Sequence, residues 1–515
     1  MSLGDAGFWP LLERRVERTP DALFSVDENA RTLTFAEYHA EALACAAGLA
    51  ERGVGRDTAV SWILPTWTES LVIVAALARL GARQNPILPI YRGREVGFVC
   101  GQSRAEWVLV PRVFRGFDYE AMGREVAAEH PGLQVLVVEP GTPLPTGGPR
   151  ALPPPPEPTS AGSAPVRWLF YTSGTTADPK GALHTDDSLM AAAAGLVNVL
   201  DLQPDDRVAL VFPLTHIGGI GWLLAGLLSG CAQIVIPVFE PATSIPVLAR
   251  HGVTQATAGT AFHQAYLEAQ RAQPDVPLFP AVRAFPGGGA PKSPQLHYDV
   301  RTELGGVGIV SGYGLTECPI VSMNRVSDPT EKLAHTEGRA NPPEMQIRIV
   351  EGEVRVLGPQ LLQGYLDPTL DDTAFDEDGY FRTGDLGSID DDGFLVITGR
   401  LKDVIIRKGE NISAKEIEDL LHGHPKVAEA AAIGLPDPAS GERCCAVVVC
   451  SDPGQPLAFD EMVTFLKEQE LMVQKIPEQL ELIDVLPRNP TGKVLKTELR
   501  ERFATSGSRR GPGRP

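Results

Sequence analysis

Short apolar runs alternate along this chain with stretches whose apolar residues recur every three or four positions, the signature of strands and helices in turn. Leu71–Leu80 has helical periodicity and meets Gly81, a glycine stop. Val166–Tyr171 and Val307–Val310 read as strands. Residues 208–239 carry no formally charged side chain, which on length alone suggests a membrane span. Pro213, Pro237, His216 and five glycines between Gly218 and Gly230 divide that stretch. It parses as a strand at Val208–Phe212, a small-residue helix and a strand at Gln233–Ile236, a buried βαβ unit. Ile389–Thr398 reads as a hairpin turning at Asp391-Asp392-Gly393. Ser413 and Glu416 have capping-box spacing ahead of Ile417, Leu420 and Leu421, and Phe459, Met462, Val463 and Leu466 mark a further amphipathic helix.

This alternation predicts an α/β fold in layers. Between Glu139 and Pro165 it stops, and proline, glycine, serine and threonine dominate, which predicts an exposed loop of partly polyproline character. The last dozen residues are basic and lack a core pattern, and read as a disordered tail. A chain of 515 residues exceeds one comfortable core, so at least two domains are expected.

Composition narrows the function. With 46 Lys+Arg against 65 Asp+Glu the formal net charge is −19, which argues against a general nucleic-acid binder but leaves room for a local basic cleft. The seven cysteines form neither a disulfide framework nor a CxxC metal site, which suits thiols in a reduced, cytoplasmic setting. Asp5 comes early and no apolar segment follows it, so no signal peptide is expected.

The most informative string runs from Tyr171 to Ala182: Thr172, Ser173, Gly174, Thr175 and Thr176, then Ala177-Asp178-Pro179-Lys180-Gly181. It follows a strand and supplies hydroxyls, glycine-flanked amides and one ammonium, the donors that phosphate oxygens need. It is not a Walker A loop, since Pro179 occupies the position of the required glycine. Gly312-Tyr313-Gly314-Leu315-Thr316-Glu317 offers a ring to stack on a base, a hydroxyl for a phosphate and a carboxylate for Mg2+. Tyr380 to Asp385 places a carboxylate after a turn, suited to a ribose. Gly399 to Asp403 and Pro490-Thr491-Gly492-Lys493 complete the set. Each string alone has a plainer reading as a turn glycine or a surface lysine.

Together, and in this order, the five strings resemble the adenylate-forming superfamily of acyl- and aryl-CoA ligases, peptide-synthetase adenylation domains and firefly-type luciferases. The resemblance covers roughly residues 20 to 500. It implies a large layered N-terminal domain (1–401), a smaller mobile α+β C-terminal domain (402–503) hinged at Lys402, and the tail 504–515. It further implies ATP, Mg2+ and coenzyme A as cofactors. Thr172 through Thr176 and Lys180 would cradle the β- and γ-phosphates. Gly288, Gly289 and Ala290 would border adenine, between Gly312, Tyr313 and Gly314, with Tyr313 stacked on the base. Thr316 would bind the α-phosphate, Glu317 ligate Mg2+, and Asp385 and Arg400 hold the ribose. Lys493 would reach the reacting carboxylate, and Gly409 would line the pantetheine tunnel after a rotation of the small domain. Ala177 departs from the family's usual glycine.

The resemblance also places the acyl pocket beside His216, Gly218, Gly219 and Trp222. Amino-acid-activating relatives carry an aspartate in this segment, whereas Pro213–Trp222 holds no acidic residue, which favours a plain carboxylic acid. Gln84–Arg92 resembles cyclohexanecarboxylate and other short- and medium-chain acyl-CoA ligases, leaving alicyclic, aromatic and medium-chain fatty acids as candidates. The expectation is an AMP-forming acid–CoA ligase. Loading of a carrier protein's phosphopantetheine is the alternative, and a non-catalytic scaffold is disfavoured by Lys180, Glu317, Asp385 and Lys493. The small-molecule acid, ATP and CoA are the expected partners, without nucleic acid or a membrane span; a homodimer is left open.

Overall fold

The computed structural model describes residues 7–148, 150, 152–156, 164–172, 179–290, 292–407, 410–437, 441–488 and 493–504. Two sheets face each other across buried helices. In the first, Val166–Thr172, Arg83–Pro86, Ala59–Trp62, Trp107–Val110 and Gln134–Val137 run parallel, and Lys180–Thr185 pairs antiparallel on the edge. In the second, Arg207–Leu210, Ala232–Val235 and Leu23–Asp27 run parallel, with Thr32–Thr34 antiparallel at the end. Single bridges from Val208 to Gln255 and from Gln255 to Ala284 join this sheet to Phe285–Gly288, Ile309–Leu315, Cys318–Met323 and Arg339–Ala340.

The uncharged stretch folds as a βαβ unit. Arg207–Leu210 and Ala232–Val235 pair in parallel on either side of the helix Ile217–Ser229, which Gly230 closes in the left-handed region at φ 86°. That helix buries Ile220, Leu223 and Leu224 in the core cluster that also holds Phe8, Trp62 and Trp168, so its apolar surface meets protein rather than lipid. Among the described residues no helix is long and apolar enough to cross a membrane. The helix Thr68–Leu80 starts three residues earlier than its pattern suggested, because Trp67 to Ser70 add a buried first turn, and it stops at Gly81 with φ 69°.

The described part of the proline-rich segment is irregular and mostly exposed, as expected, and residues 141–148 and 152–156 are also tied down as a strap. Gly147 N–H donates to Ala44 O at 3.1 Å, Arg79 donates to Pro153 O at 2.8 Å, and Leu144 and Leu152 pack on the main core. The strap crosses the helix Phe35–Ala50 at Gly48, where a Cβ would lie 2.4 Å from the Pro145 carbonyl carbon. Glycine there permits backbone-to-backbone contact.

A third sheet of Gln346–Val350, Glu353–Leu357, Phe381–Ile389 and Leu395–Arg400 is antiparallel, and its last hairpin turns through Gly393 at φ 83°. Beyond the 3₁₀ turn Leu401–Asp403 lies a smaller unit. The long hairpin Val427–Asp437 and Gly441–Cys450, flanked by Ile405–Arg407 and Gln479–Leu482, is covered by the helices Ala414–Leu421, Phe459–Glu468 and Lys496–Phe503 around separate clusters of buried side chains. Ser413 caps its helix by accepting from Glu416 N–H at 3.3 Å, but the reciprocal half of the expected box is absent. The Glu416 carboxylate instead receives Lys475 at 2.6 Å. The basic tail from 505 onward lies outside the described residues.

Candidate active site

The cleft is assembled from strand ends. Phe285–Gly288 and Ile309–Leu315 run side by side with Gly288 opposite Gly312, and a Cβ on Gly288 would sit 2.7 Å from Gly312 O. These glycines leave a flat backbone floor. Gly289 continues it at φ 78° with nothing within 4 Å of where its Cβ would point, and Ala290 follows. Gly314 lies where a Cβ would meet Ile320 N at 2.5 Å, so the hairpin after it can close tightly.

Tyr313 stands on the same strand, and its hydroxyl donates to Asp385 Oδ2 at 2.6 Å. Asp385 belongs to Phe381–Ile389, directly opposite Arg400 on Leu395–Arg400, and Arg400 Nε takes its other oxygen at 2.7 Å. Only 3% of Asp385 is exposed, and each of its two oxygens takes one donor in a dry setting. Burial, then the Asp385 charge, hold the Tyr313 phenol well above its ordinary range, so it stays a donor. Lys493 belongs to the same group. Burial and the neighbouring Arg400 and Lys402 cations push its ammonium down to about 8, with Asp385 and Asp403 opposing. Lys402 sits on the 3₁₀ turn, and burial and Arg400 lower its pKa too. Asp403 beside it pairs with Arg500 at 2.8 Å.

The second group surrounds Glu317. Tyr365 donates to Glu317 Oε1 at 2.8 Å, and Lys180 Nζ lies 5.7 Å from the centre of the Tyr365 ring. Burial raises the Glu317 carboxyl above the usual range; the Tyr365 hydroxyl and the Lys180 and Arg400 charges pull the other way. Thr172 and Lys180 face each other as register partners where the strands Val166–Thr172 and Lys180–Thr185 leave the sheet. Ser173, Gly174, Thr175 and Thr176 lie outside the described residues, as does Gly409. Thr316 presents its backbone carbonyl to His184 Nε2 at 2.9 Å. His184 is fully buried, which pushes its ring down to about 4, so the ring is neutral and its Nε2–H donates.

His216 forms a third neighbourhood. It caps the helix Ile217–Ser229, its Nδ1 accepting from Gly218 N–H at 3.0 Å. Burial pushes it down to about 4, which makes it a neutral ring with one free N–H position. Phe212 lies 5.1 Å from it, and Phe262 and Phe239 continue an aromatic wall at 6.3 and 4.8 Å centroid spacings. At Gly219 a Cβ would lie 2.5 Å from Pro213 O, so the tight turn itself requires glycine. Trp222 is 8% exposed and joins the main core. The wall reaches the glycine floor through Gly259, ahead of the helix Thr260–Arg271; a Cβ on Gly259 would meet Gly288 O at 3.2 Å.

Sequence reasoning missed His184, Tyr365, Phe212 and Phe262. One signal was available for His184: strand alternation puts it on the same face as Lys180 and Ala182. Nothing local marks Tyr365, which reaches Glu317 across 48 positions.

A lysine at a strand end beside a buried glutamate, a carboxylate between a tyrosine and an arginine, and a lysine from the small unit together suit a nucleotide-activating ligase. Comparison with known proteins agrees. The AMP-binding enzyme family matches residues 12–366, and the AMP-binding enzyme C-terminal domain matches residues 416–493. The chain belongs to this family of adenylate-forming enzymes and is an ATP-dependent, AMP-forming acid ligase. It is 33% identical to a salicyl-AMP ligase/salicyl-S-ArCP synthetase of Mycobacterium tuberculosis, over 95% of this chain and 91% of that protein. It is 29% identical to a medium-chain fatty-acid–CoA ligase of Escherichia coli, over 97% and 90%. The crystal structure of ATP-bound MatB from Rhodopseudomonas palustris superposes with a TM-score of 0.86 at 27% identity, covering 96% of this chain and 99% of that one.

Proposed function

We propose that this enzyme is a carboxylic acid–CoA ligase that converts an apolar acid, alicyclic, aromatic or medium-chain, first to its acyl adenylate and then to its CoA thioester. The observation that carries the adenylating half is the convergence of Tyr313, Arg400 and Lys493 on one buried carboxylate, Asp385. A ribose presents two hydroxyls, and Asp385 has spare lone pairs on both oxygens to accept them.

The chemical problem is to bring a carboxylate up to a polyphosphate. Lys493 and Lys180 offset that repulsion, and they act most strongly where charge builds in the transition state. Glu317 fits a magnesium ion: a carboxylate at the cleft, held by a neutral donor and facing Lys180 rather than locked in an ion pair. The ion would supply charge neutralisation at the phosphates. Thr316, one residue earlier, is assigned to the α-phosphate, and the loop from Thr172 to Lys180 to the terminal phosphates. We assign Lys402 as the hinge between a domain ending at 401 and one ending at 503, and Gly409 to the thiol path.

For the acid, the aromatic wall of Phe212, Phe262 and Phe239 beside neutral His216 supports a flat or apolar body. No carboxylate lies between Pro213 and Trp222 to pair with an ammonium, which supports a plain acid over an amino acid. A second reading, transfer to a carrier protein's phosphopantetheine, is favoured by the likeness to a salicyl-S-ArCP synthetase.

The test is acid-dependent AMP release with cyclohexanecarboxylate, benzoate, salicylate, octanoate and a long-chain acid, each with and without CoA. A CoA thioester formed in step with AMP is the expected result. Pyrophosphate and adenylate formation without any CoA thioester would replace it with the carrier-protein reading.

A further inference from the structure

The hairpin that carries Thr316 and Glu317 is built against its own preference. Leu315 pairs with Cys318, so only these two residues make the turn between Ile309–Leu315 and Cys318–Met323. Two-residue hairpins favour turns with positive φ, which glycine, asparagine and aspartate supply. Thr316 and Glu317 both keep negative φ, and the mismatch surfaces nearby: the register shifts between Tyr313 and Leu315, and Ile320, a β-branched residue, takes φ 56°. A turn of this kind needs outside support to hold one shape.

Three contacts among the described residues give that support. His184 Nε2–H donates to Thr316 O at 2.9 Å, Leu362 N–H donates to Glu317 O at 2.8 Å, and the Tyr365 hydroxyl reaches the Glu317 carboxylate at 2.8 Å. His184 lies on Lys180–Thr185, the strand that begins with Lys180, and its Nδ1 is 3.0 Å from Ser188 Oγ. The segment 362–366 is laced to that strand: Leu183 N–H donates to Gly364 O at 3.0 Å, Gln363 N–H to Leu183 O at 2.8 Å and Leu366 N–H to Gly181 O at 2.8 Å. Among the described residues, all three of these clamps lead back to the strand of Lys180.

We propose that His184 is a positioning residue, which ties the Thr316–Glu317 turn to the Lys180 strand so that the lysine and the Glu317 carboxylate hold one spacing around the triphosphate. This rests on the assignment of Lys180 and Glu317 to the metal–phosphate end of ATP. His184 is fully buried and would act through the Thr316 carbonyl. Displacing a reacting group by about 1 Å can cost about 100-fold in rate, so a lost clamp should register in turnover.

The geometry supplies a discriminating pair of variants. The amide nitrogen of glutamine is as many bonds from Cα as the histidine Nε2, whereas that of asparagine matches Nδ1 and falls short of Thr316 O. Full-length H184N and H184Q would be compared with the unsubstituted enzyme for acid-dependent pyrophosphate formation. Calorimetry would measure AMP binding, and ATP binding with and without MgCl2. H184N is expected to lose about 100-fold in kcat. It should bind AMP normally and forfeit most of the gain in ATP affinity that Mg2+ confers, while H184Q recovers both. Tyr365→Phe, which removes only the hydroxyl on Glu317, should reduce the same Mg2+ gain and covers the case of an unfolded H184N. Equal behaviour of H184N and H184Q, or an intact Mg2+ gain in a folded H184N, would overturn the proposal. Glu317→Gln separates this from the underlying assignment: if it also leaves the Mg2+ gain intact, the Glu317 reading itself is wrong.

Discussion

Tyr313 and Asp385, 72 positions apart, meet at 2.6 Å with the phenol as donor, and Arg400 occupies the other carboxylate oxygen. The pair fixes an acceptor in a dry cleft before any nucleotide arrives. Charge-assisted hydrogen bonds are worth about 1.5–3 kcal/mol, so Asp385→Asn should weaken AMP binding about 10–100-fold. Calorimetry with AMP measures this directly; unchanged affinity would remove Asp385 from the ribose site.

In the role proposed for it Lys493 acts as a cation, and its ammonium is lowered to about 8 by burial and the Arg400 and Lys402 charges. The protonated form exists below that value, so adenylation should fall as pH rises through about 8 in the free enzyme. Lys493→Ala should lower adenylation by roughly 10²–10³ while leaving ATP binding in place. Pyrophosphate release followed from pH 6.5 to 9.5 tests the limb. A profile that Lys493→Ala leaves unaltered in shape and height would refute the assignment.

Lys402 lies on the 3₁₀ turn between the third sheet and the smaller unit. The proposed rotation of the small unit about Lys402 would need backbone freedom there, and proline fixes φ near −65°. Lys402→Pro should impair thioester formation more than adenylation, read by single-turnover assays of each half-reaction. Equal losses in both would mean that the residue is not the pivot.

Gly338 tests stability apart from chemistry. It has φ 78°, and a Cβ there would fall 1.8 Å from the Met323 carbonyl carbon. Gly379 has φ 81° but open space around it. Gly379→Ala should cost about 1 kcal/mol from backbone conformation alone, and Gly338→Ala about 3 kcal/mol or more, because overpacking adds to it. Urea unfolding of both variants separates the two effects, and matching losses would contradict the close contact.

The legible part of this protein is local. The glycine stop at Gly81, the βαβ unit around Ile217–Ser229 and the hairpin at Gly393 each depend on residues adjacent in the chain, so their patterns could be read directly. The capping-box reading failed where a distant partner intervened: Glu416 has the spacing but finds Lys475, 59 positions away. The proline-rich stretch is the loop its composition suggests, but only packing shows the seat that Gly48 on a helix and the cores under Leu144 and Leu152 give it. Gly219 likewise carries a packing demand its pattern did not reveal, a carbonyl 2.5 Å from where a Cβ would lie.

The same division runs through the site. Strings such as Gly312–Glu317 and Tyr380–Asp385 carried their chemistry in their order along the chain, because covalent spacing determines which donors and acceptors share a turn. That order was enough for the family, the layered α/β class and the residues to suspect. Which of them meet was decided by packing. His184 reaches Thr316 across 132 positions, Tyr365 turns to Glu317, and Lys493 comes to Arg400 from the other unit. Such contacts follow from how sheets and helices bury their apolar faces, a choice made by the whole core at once and written in no single segment.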